Sequence, residues 1–233
     1  MASPTHGSAV AIVLAAGAGR RVGADEPKAF LPIGGRPMLS VATGAAAASP
    51  AVRSIVVAAP EGWTERALAC VRGCGVPVDV VVGGATRQAS VRAALEAVPS
   101  DVGVVVIHDA ARPFAPPDLF TAVIVAVSGD TPGVVPVVPV NDTVKEVTDG
   151  RIVGTLDRDR LALAQTPQAF DVAALRLAHR RAAERGLELT DDASALEHDG
   201  ASVVAVAGDP SNVKITTLLD LANADARMGG SGG

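Results

Sequence analysis

The chain has 233 residues, enough for one α/β domain with a sizeable core, and a formal net charge of −5. Hydrophobic residues make up 48% but aromatics only 2%, which means a core of small aliphatics. There is neither an aromatic platform for single strands nor the basic stripe of a nucleic-acid partner.

A first strand is predicted over residues 9–14, and it runs into the loop AAGAGRRVG (15–23), with Pro27-Lys28 just beyond. A P-loop needs a Lys-Ser or Lys-Thr that is missing here. A dinucleotide fingerprint needs Gly or Ala where Val22 stands, and a second strand sooner than the one near Ser54. What fits is a backbone anion site, with Arg20, Arg21 and Lys28 bringing positive charge to one sheet edge. A plain chain reversal with solvated arginines is the alternative.

A helix over 37–48, a strand over 54–58, a helix over 62–72 and a strand over 78–82 follow. Cys70 and Cys74 share a face of the second helix without the partners a zinc site needs, and read as free thiols. The loop GGATRQAS (83–90) enters a helix over 87–98, with Ser90 just inside its start, where hydroxyls and free N–H groups meet ligands.

A strand over 102–107 ends in HDAAR (108–112). Ligands of open parallel sheets bind at the carboxyl ends of strands. Asp109 is thus placed to hold Mg²⁺ or a substrate hydroxyl, and Arg112 to grip a phosphate in bidentate fashion. An Asp–Arg pair pinning the loop is the alternative, and His108 reads as structural.

After a helix over 117–127 and a strand over 133–138, residues 139–161 break the rhythm. Asp149-Gly150 between alternating runs signals a hairpin. Such an arm covers the active site, reaches a second subunit, or is a solvated excursion; composition leaves these open. Then come LAQTPQAF (163–170), a helix over 172–185 and LTDDASAL (189–196). Thr190 reads there as an N-cap, and Asp191 and Asp192 as a metal pair or helix-dipole partners. A strand over 202–207 precedes NVKITT (212–217), where Lys214 lies in a short β-like stretch as a further phosphate cation. A helix over 217–227 follows. The tail GGSGG (229–233) has linker composition and is expected to be disordered. The alternation of apolar strands and helices predicts an α/β fold with a mostly parallel sheet covered on both faces. The absence of a signal-peptide pattern and of a long apolar span predicts a cytoplasmic protein without membrane contacts.

LAAGAGRR with PKAF, HDAAR, QTPQ, TDDAS and VKIT occur here in the order and approximate spacing of a known family. Over residues 10–224 the chain resembles the 2-C-methyl-D-erythritol 4-phosphate cytidylyltransferases of the non-mevalonate isoprenoid pathway. The resemblance implies a Rossmann-like nucleotidyltransferase domain over residues 1–228, with an arm at about 139–161 that makes a homodimer. It implies cytidylyl transfer from CTP to the sugar phosphate, with Mg²⁺ held mainly by CTP phosphates and Asp109 as a possible protein ligand. Arg21 and Lys28 would stabilise charge at the α-phosphorus, while Arg158 and Lys214 position the attacking phosphate. Ala15, Ala16, Gly17 and Gly19, with Gly84 and Ser90, resemble the cytosine and ribose pocket. Asp109, Arg112, Thr143, Thr166 and Thr190 match the sugar-phosphate side, Thr143 and Arg158 reaching the neighbouring subunit's site. Ala85 departs from the acid or hydroxyl that some members carry, so one side-chain contact near the nucleotide is missing. Two other readings remain: a cytidylyltransferase for another substrate such as ribitol 5-phosphate, and a catalytically silent nucleotide-binding module. Four separate cations argue against the second.

Overall fold

Side chains of the first strand, β1 (Ala9–Leu14), alternate between two apolar layers: Ala9, Ala11 and Val13 enter one, Val10 and Ile12 the other. A strand buried on both faces needs apolar residues at every position, and this one has them. The computed structural model describes residues 9–16 and 26–229. Gly17, Gly19 and Arg21 lie outside these.

In chain order β1 is followed by a 3₁₀ turn (Lys28–Phe30), β2 (Pro32–Ile33), β3 (Arg36–Pro37), α1 (Met38–Ala47), β4 (Val52–Ala59) and α2 (Thr64–Val71). Next come β5 (Val78–Val82), α3 (Arg87–Glu96), β6 (Val104–Asp109), α4 (Pro117–Ala126) and β7 (Gly133–Pro139). Then follow β8 (Lys145–Thr148), β9 (Arg151–Thr155), a 3₁₀ turn (Arg158–Arg160), β10 (Ala162–Ala164) and β11 (Gln168–Asp171). The chain closes with α5 (Val172–Glu184), α6 (Asp192–His198), β12 (Val203–Ala207) and α7 (Leu218–Gly229).

The central sheet runs β5-β4-β1-β6-β11-β7, with β12 and β10 also on β7. Pairs β4–β5, β1–β4, β1–β6 and β7–β12 are parallel, whereas β11 is antiparallel to both β6 and β7. The predicted α/β class holds. The short strands β10 and β11 were not expected, because QTPQAF is brief and carries a proline. Helices α1, α2 and α4 cover one face through Leu39, Ala67 and Phe120; α3, α5 and α6 cover the other through Leu95, Leu175 and Leu196. Helix α7 seals a third cluster, where Ala224 meets Ile33, Met38 and Ile215.

Three boundaries need correction. The strand predicted at 102–107 is β6, Val104–Asp109, so His108 and Asp109 are ladder residues paired with Val13 and Leu14. The stretch holding Lys214 is irregular, anchored by Ile215 N–H donating to the Ala111 carbonyl. The last helix also runs on through Gly229, the first residue of the predicted tail. The hairpin is confirmed: β8 and β9 pair antiparallel around Asp149 (φ 49°) and Gly150 (φ 75°), the left-handed pair that a tight two-residue turn demands.

Candidate active site

Parallel pairing brings the carboxyl ends of β1, β4, β5 and β6 to one edge. Leu14 stands beside Asp109 and Ala58 in the register, and Ala59 beside Val82. Loops leave from there. Ala15 N–H donates to the Ala58 carbonyl, and Gly83 N–H to that of Ala59. The two predicted nucleotide loops therefore touch. A Cβ on Gly83 would come within 2.6 Å of the Ala16 Cβ, and one on Gly84 would clash with Ala89, so both must be glycine. Ser90 is buried. Its hydroxyl donates towards the Thr86 and Gly84 carbonyls and accepts from Gly84 N–H, so it shapes the glycine loop.

The strand end HDAAR builds a second tier. Asp109 is nearly buried, with one oxygen 2.6 Å from Lys214 Nζ and the other 3.5 Å from Arg87 Nε. Burial by itself would raise its pKa; Arg87 and Lys214 outweigh that and bring the carboxyl to about 2. Lys28, at the 3₁₀ turn, donates through Nζ to the Ile215 carbonyl at 2.7 Å. Lys28 and Lys214 thus meet at one short segment, although 187 and 105 residues respectively separate the partners of these two contacts.

His108 fits its structural reading. It is fully buried, with Nε2 on the Arg112 carbonyl and Nδ1 on the Thr166 hydroxyl, and burial lowers its pKa to about 4. The Thr166 hydroxyl also accepts Asp109 N–H, so this buried side chain orients its neighbours. Arg112 is turned to a different use from the predicted phosphate grip. Its Nη1 donates to the Asn212 carbonyl and its Nη2 to that of Ala164, while Nε is buried without a hydrogen-bond partner among the described residues. Asn212, fully buried, donates to the Thr166 carbonyl and to Gln165 Oε1. Together these bonds fasten the Lys214 loop to β6 and the QTPQ segment.

Thr190 is exposed and does not cap α6; Asp191 does, accepting Ser194 N–H at 3.0 Å. The acid next to it, Asp192, is buried against Arg87 (2.7 Å) and His179 (3.0 Å). The pair Asp191–Asp192 therefore holds a helix start and an ion pair, and among the described residues no group of three or more His, Cys, Asp or Glu could hold a metal. Cys70 and Cys74 are free thiols, but they do not share a helix face, since α2 ends at Val71 and Cys74 lies in the turn beyond it. Arg87 was missed, since nothing in GGATRQAS shows that the residue after the N-cap Thr86 meets acids far along the chain. Thr143 and Arg158 lie exposed on the arm, where Arg158 Nη1 donates to the Asn141 carbonyl. Neither makes a hydrogen bond or ion pair with Asp109 or Lys214 among the described residues.

Known proteins resemble this chain in sequence and in fold. The model of the family described as IspD: 2-C-methyl-D-erythritol 4-phosphate cytidylyltransferase matches residues 9–230. A protein of that name from Nocardia farcinica is 46% identical over 223 residues, covering 95% of this chain and 94% of its own. Another from Saccharopolyspora erythraea is 46% identical over 226 residues, covering 94% and 98%. The crystal structure of the cytidylyltransferase from Thermus thermophilus superposes with a TM-score of 0.78 at 35% identity, covering 94% of this chain and 98% of that one. That of 4-diphosphocytidyl-2C-methyl-D-erythritol synthase from Anaerococcus prevotii gives 0.84 at 27% identity, covering 96% and 99%.

Proposed function

This chain belongs to the 2-C-methyl-D-erythritol 4-phosphate cytidylyltransferase family, and we infer that it transfers the cytidylyl group of CTP to 2-C-methyl-D-erythritol 4-phosphate in the isoprenoid pathway. The observation that carries this reading to the residues is the meeting of Lys28, Lys214 and Asp109 beside the Ala15–Ala16 and Gly83–Gly84 loops.

A phosphate oxygen of the sugar attacks the α-phosphorus in line; the new O–P bond forms as the bond to the bridging oxygen breaks, and pyrophosphate leaves. The nucleophile is already ionised at neutral pH, so no general base is required. The chain's contribution is positioning and fixed positive charge. Lys28 serves the charge that builds at the α-phosphorus, with Ala15, Ala16 and Gly84 in the backbone cradle; Arg21, Gly17 and Gly19, outside the described residues, are assigned the same roles on the family's motif alone. Lys214 has a side chain 43% exposed and three donors, so it can keep Asp109 and still offer an N–H to the sugar phosphate. Asp109 and Thr190 form the sugar-phosphate side, with Arg112 and Thr166 bracing the segments that carry it.

Magnesium fits this donor set as an ion carried in on the triphosphate, touching at most Asp109, since such ions take one or two carboxylates plus phosphates. When bound, it offsets charge on the phosphate oxygens. The arm pairs two copies and delivers Thr143 and Arg158 to the partner's site. Support comes from its apolar side chains, with Val147 and Val153 58% and Ile152 66% exposed in the single chain. The cytoplasm is the proposed compartment, since both substrates are charged small molecules that do not cross a membrane unaided.

Pyrophosphate release is the test, measured with CTP and either 2-C-methyl-D-erythritol 4-phosphate or ribitol 5-phosphate. Turnover with the first at least tenfold above the second is expected. Preference for ribitol 5-phosphate would reassign the acceptor, and CTP binding without release from either would leave only a nucleotide-binding module.

A further inference from the structure

Behind Asp109 a chain of charged groups runs into the core on the α3–α5–α6 side. Arg87 Nε lies 3.5 Å from one Asp109 oxygen, and its Nη1 lies 2.7 Å from Asp192 Oδ2. The other Asp192 oxygen is 3.0 Å from His179 Nε2. Asp192 and His179 are 1% and 2% exposed at their side chains. A carboxylate buried that deeply is tolerated only when it is paired, and here the pairing is Arg87 in front and His179 behind.

Arg87 itself stands at the first position of α3. A cation there faces the positive end of the helix dipole, so local energetics oppose it. Its placement is explained by what it joins: the start of α6 and the carboxyl end of β6, through one guanidinium at ion-pair distance from two carboxylates, although Asp192 Oδ2 accepts no hydrogen bond among the described residues. Lys214 holds the opposite Asp109 oxygen, so the carboxylate is fixed from both sides.

We propose that Arg87, backed by the buried Asp192–His179 pair, is a positioning residue that aims Asp109 at a hydroxyl of the sugar-phosphate substrate. Arg87 takes no part in the bond changes and leaves CTP binding to the glycine loops. The proposal rests on the reading of Asp109 as a sugar-phosphate contact, and its test separates the two.

The test is a double-mutant cycle with Arg87→Gln and Asp109→Asn, following pyrophosphate release against each substrate in turn, with thermal unfolding of every variant alongside. Arg87→Gln is expected to raise KM for 2-C-methyl-D-erythritol 4-phosphate about tenfold while KM for CTP stays within about twofold. In the Asp109→Asn background the same change should alter the sugar-phosphate KM less than about twofold, because the group it aims is gone. Arg87→Lys keeps the charge but not the fork and should fall between. Asp192→Asn should shift the same KM in the same direction, and if it melts too low to assay, the Arg87 arms decide alone. Equal losses in both backgrounds, or a loss confined to CTP, overturn the positioning role while Asp109 keeps its place. If Asp109→Asn alone leaves the sugar-phosphate KM unchanged, the reading of Asp109 falls, and the positioning role with it.

Discussion

The strand-end site and the arm are built on opposite principles. At the site nearly every polar side chain is held from a distance: Asp109 by Lys214, Arg112 by Asn212, Thr166 by His108. The arm is held by its own neighbours, with β8 and β9 pairing across two residues and Arg158 reaching Asn141. The site buries its polar groups and satisfies them; the arm leaves apolar ones in the open. A region that completes itself can be rigid within one chain, whereas one that exposes Ile152 and Val153 has a surface still to cover. Buried charge and exposed apolar surface thus lie in separate parts of the molecule.

The largest effect that would sharpen this contrast is at Lys28. Lys28→Ala should lower kcat about 10²- to 10³-fold, on the order of 3–4 kcal/mol, with unfolding temperature nearly unchanged. Near-normal turnover in a purified, folded variant would remove Lys28 from the chemistry.

Acid probes the buried side of the comparison. The unfolded imidazole of His108 takes a proton near pH 6.5, the buried one only at about 4. Between these values the unfolded chain binds more protons, so His108's contribution is complete above 6.5 and is lost as pH falls towards 4, by about 3 kcal/mol. Asp109 has the same sign at lower pH: its contribution is present above the ordinary carboxylate value and is lost as pH falls through about 2. Urea unfolding at pH 7 and pH 4.5 measures the first window, and His108→Gln should flatten the difference. An unchanged slope in that variant would show that other groups drive it.

The arm offers the smallest effect and the most direct way to break the contrast. Ile152→Asp with Val153→Asp should turn a dimer into monomers on a sizing column, keep the unfolding temperature, and lower activity about tenfold, since burying such side chains is worth about 1.5–3 kcal/mol each. Mixing Lys28→Ala with Arg158→Ala subunits should restore part of the activity that each has lost. A monomeric parent protein, or no recovery on mixing, would make the arm a solvated excursion.

Much of this was legible in the residues. Runs rich in β-branched residues at 9–14 and 78–82 gave β1, buried on both faces, and the partly exposed edge strand β5 without adjustment, because strand period is a local signal. Asp149-Gly150 gave the hairpin, because a turn that tight depends on its own two φ angles. The order of HDAAR, QTPQ and VKIT gave the family. Less legible were residues whose role depends on distant partners. Thr166 and Ser90 were expected on the ligands, and the structure shows their hydroxyls bonded to Asp109 N–H and to the Thr86 and Gly84 carbonyls. Arg112 was expected on a phosphate and instead ties two carbonyls.

Sequence alone settled the α/β alternation, the arm and the catalytic family, since each is written in local period, turn chemistry or motif order. Only the tertiary structure decided that β11 runs antiparallel inside a mostly parallel sheet, that Lys28 and Lys214 share one segment, and that Arg87 links Asp109 to Asp192. The physical reason is range: periodicity and turn geometry act over a few residues, whereas a buried charge takes whichever partner the folded chain brings within reach.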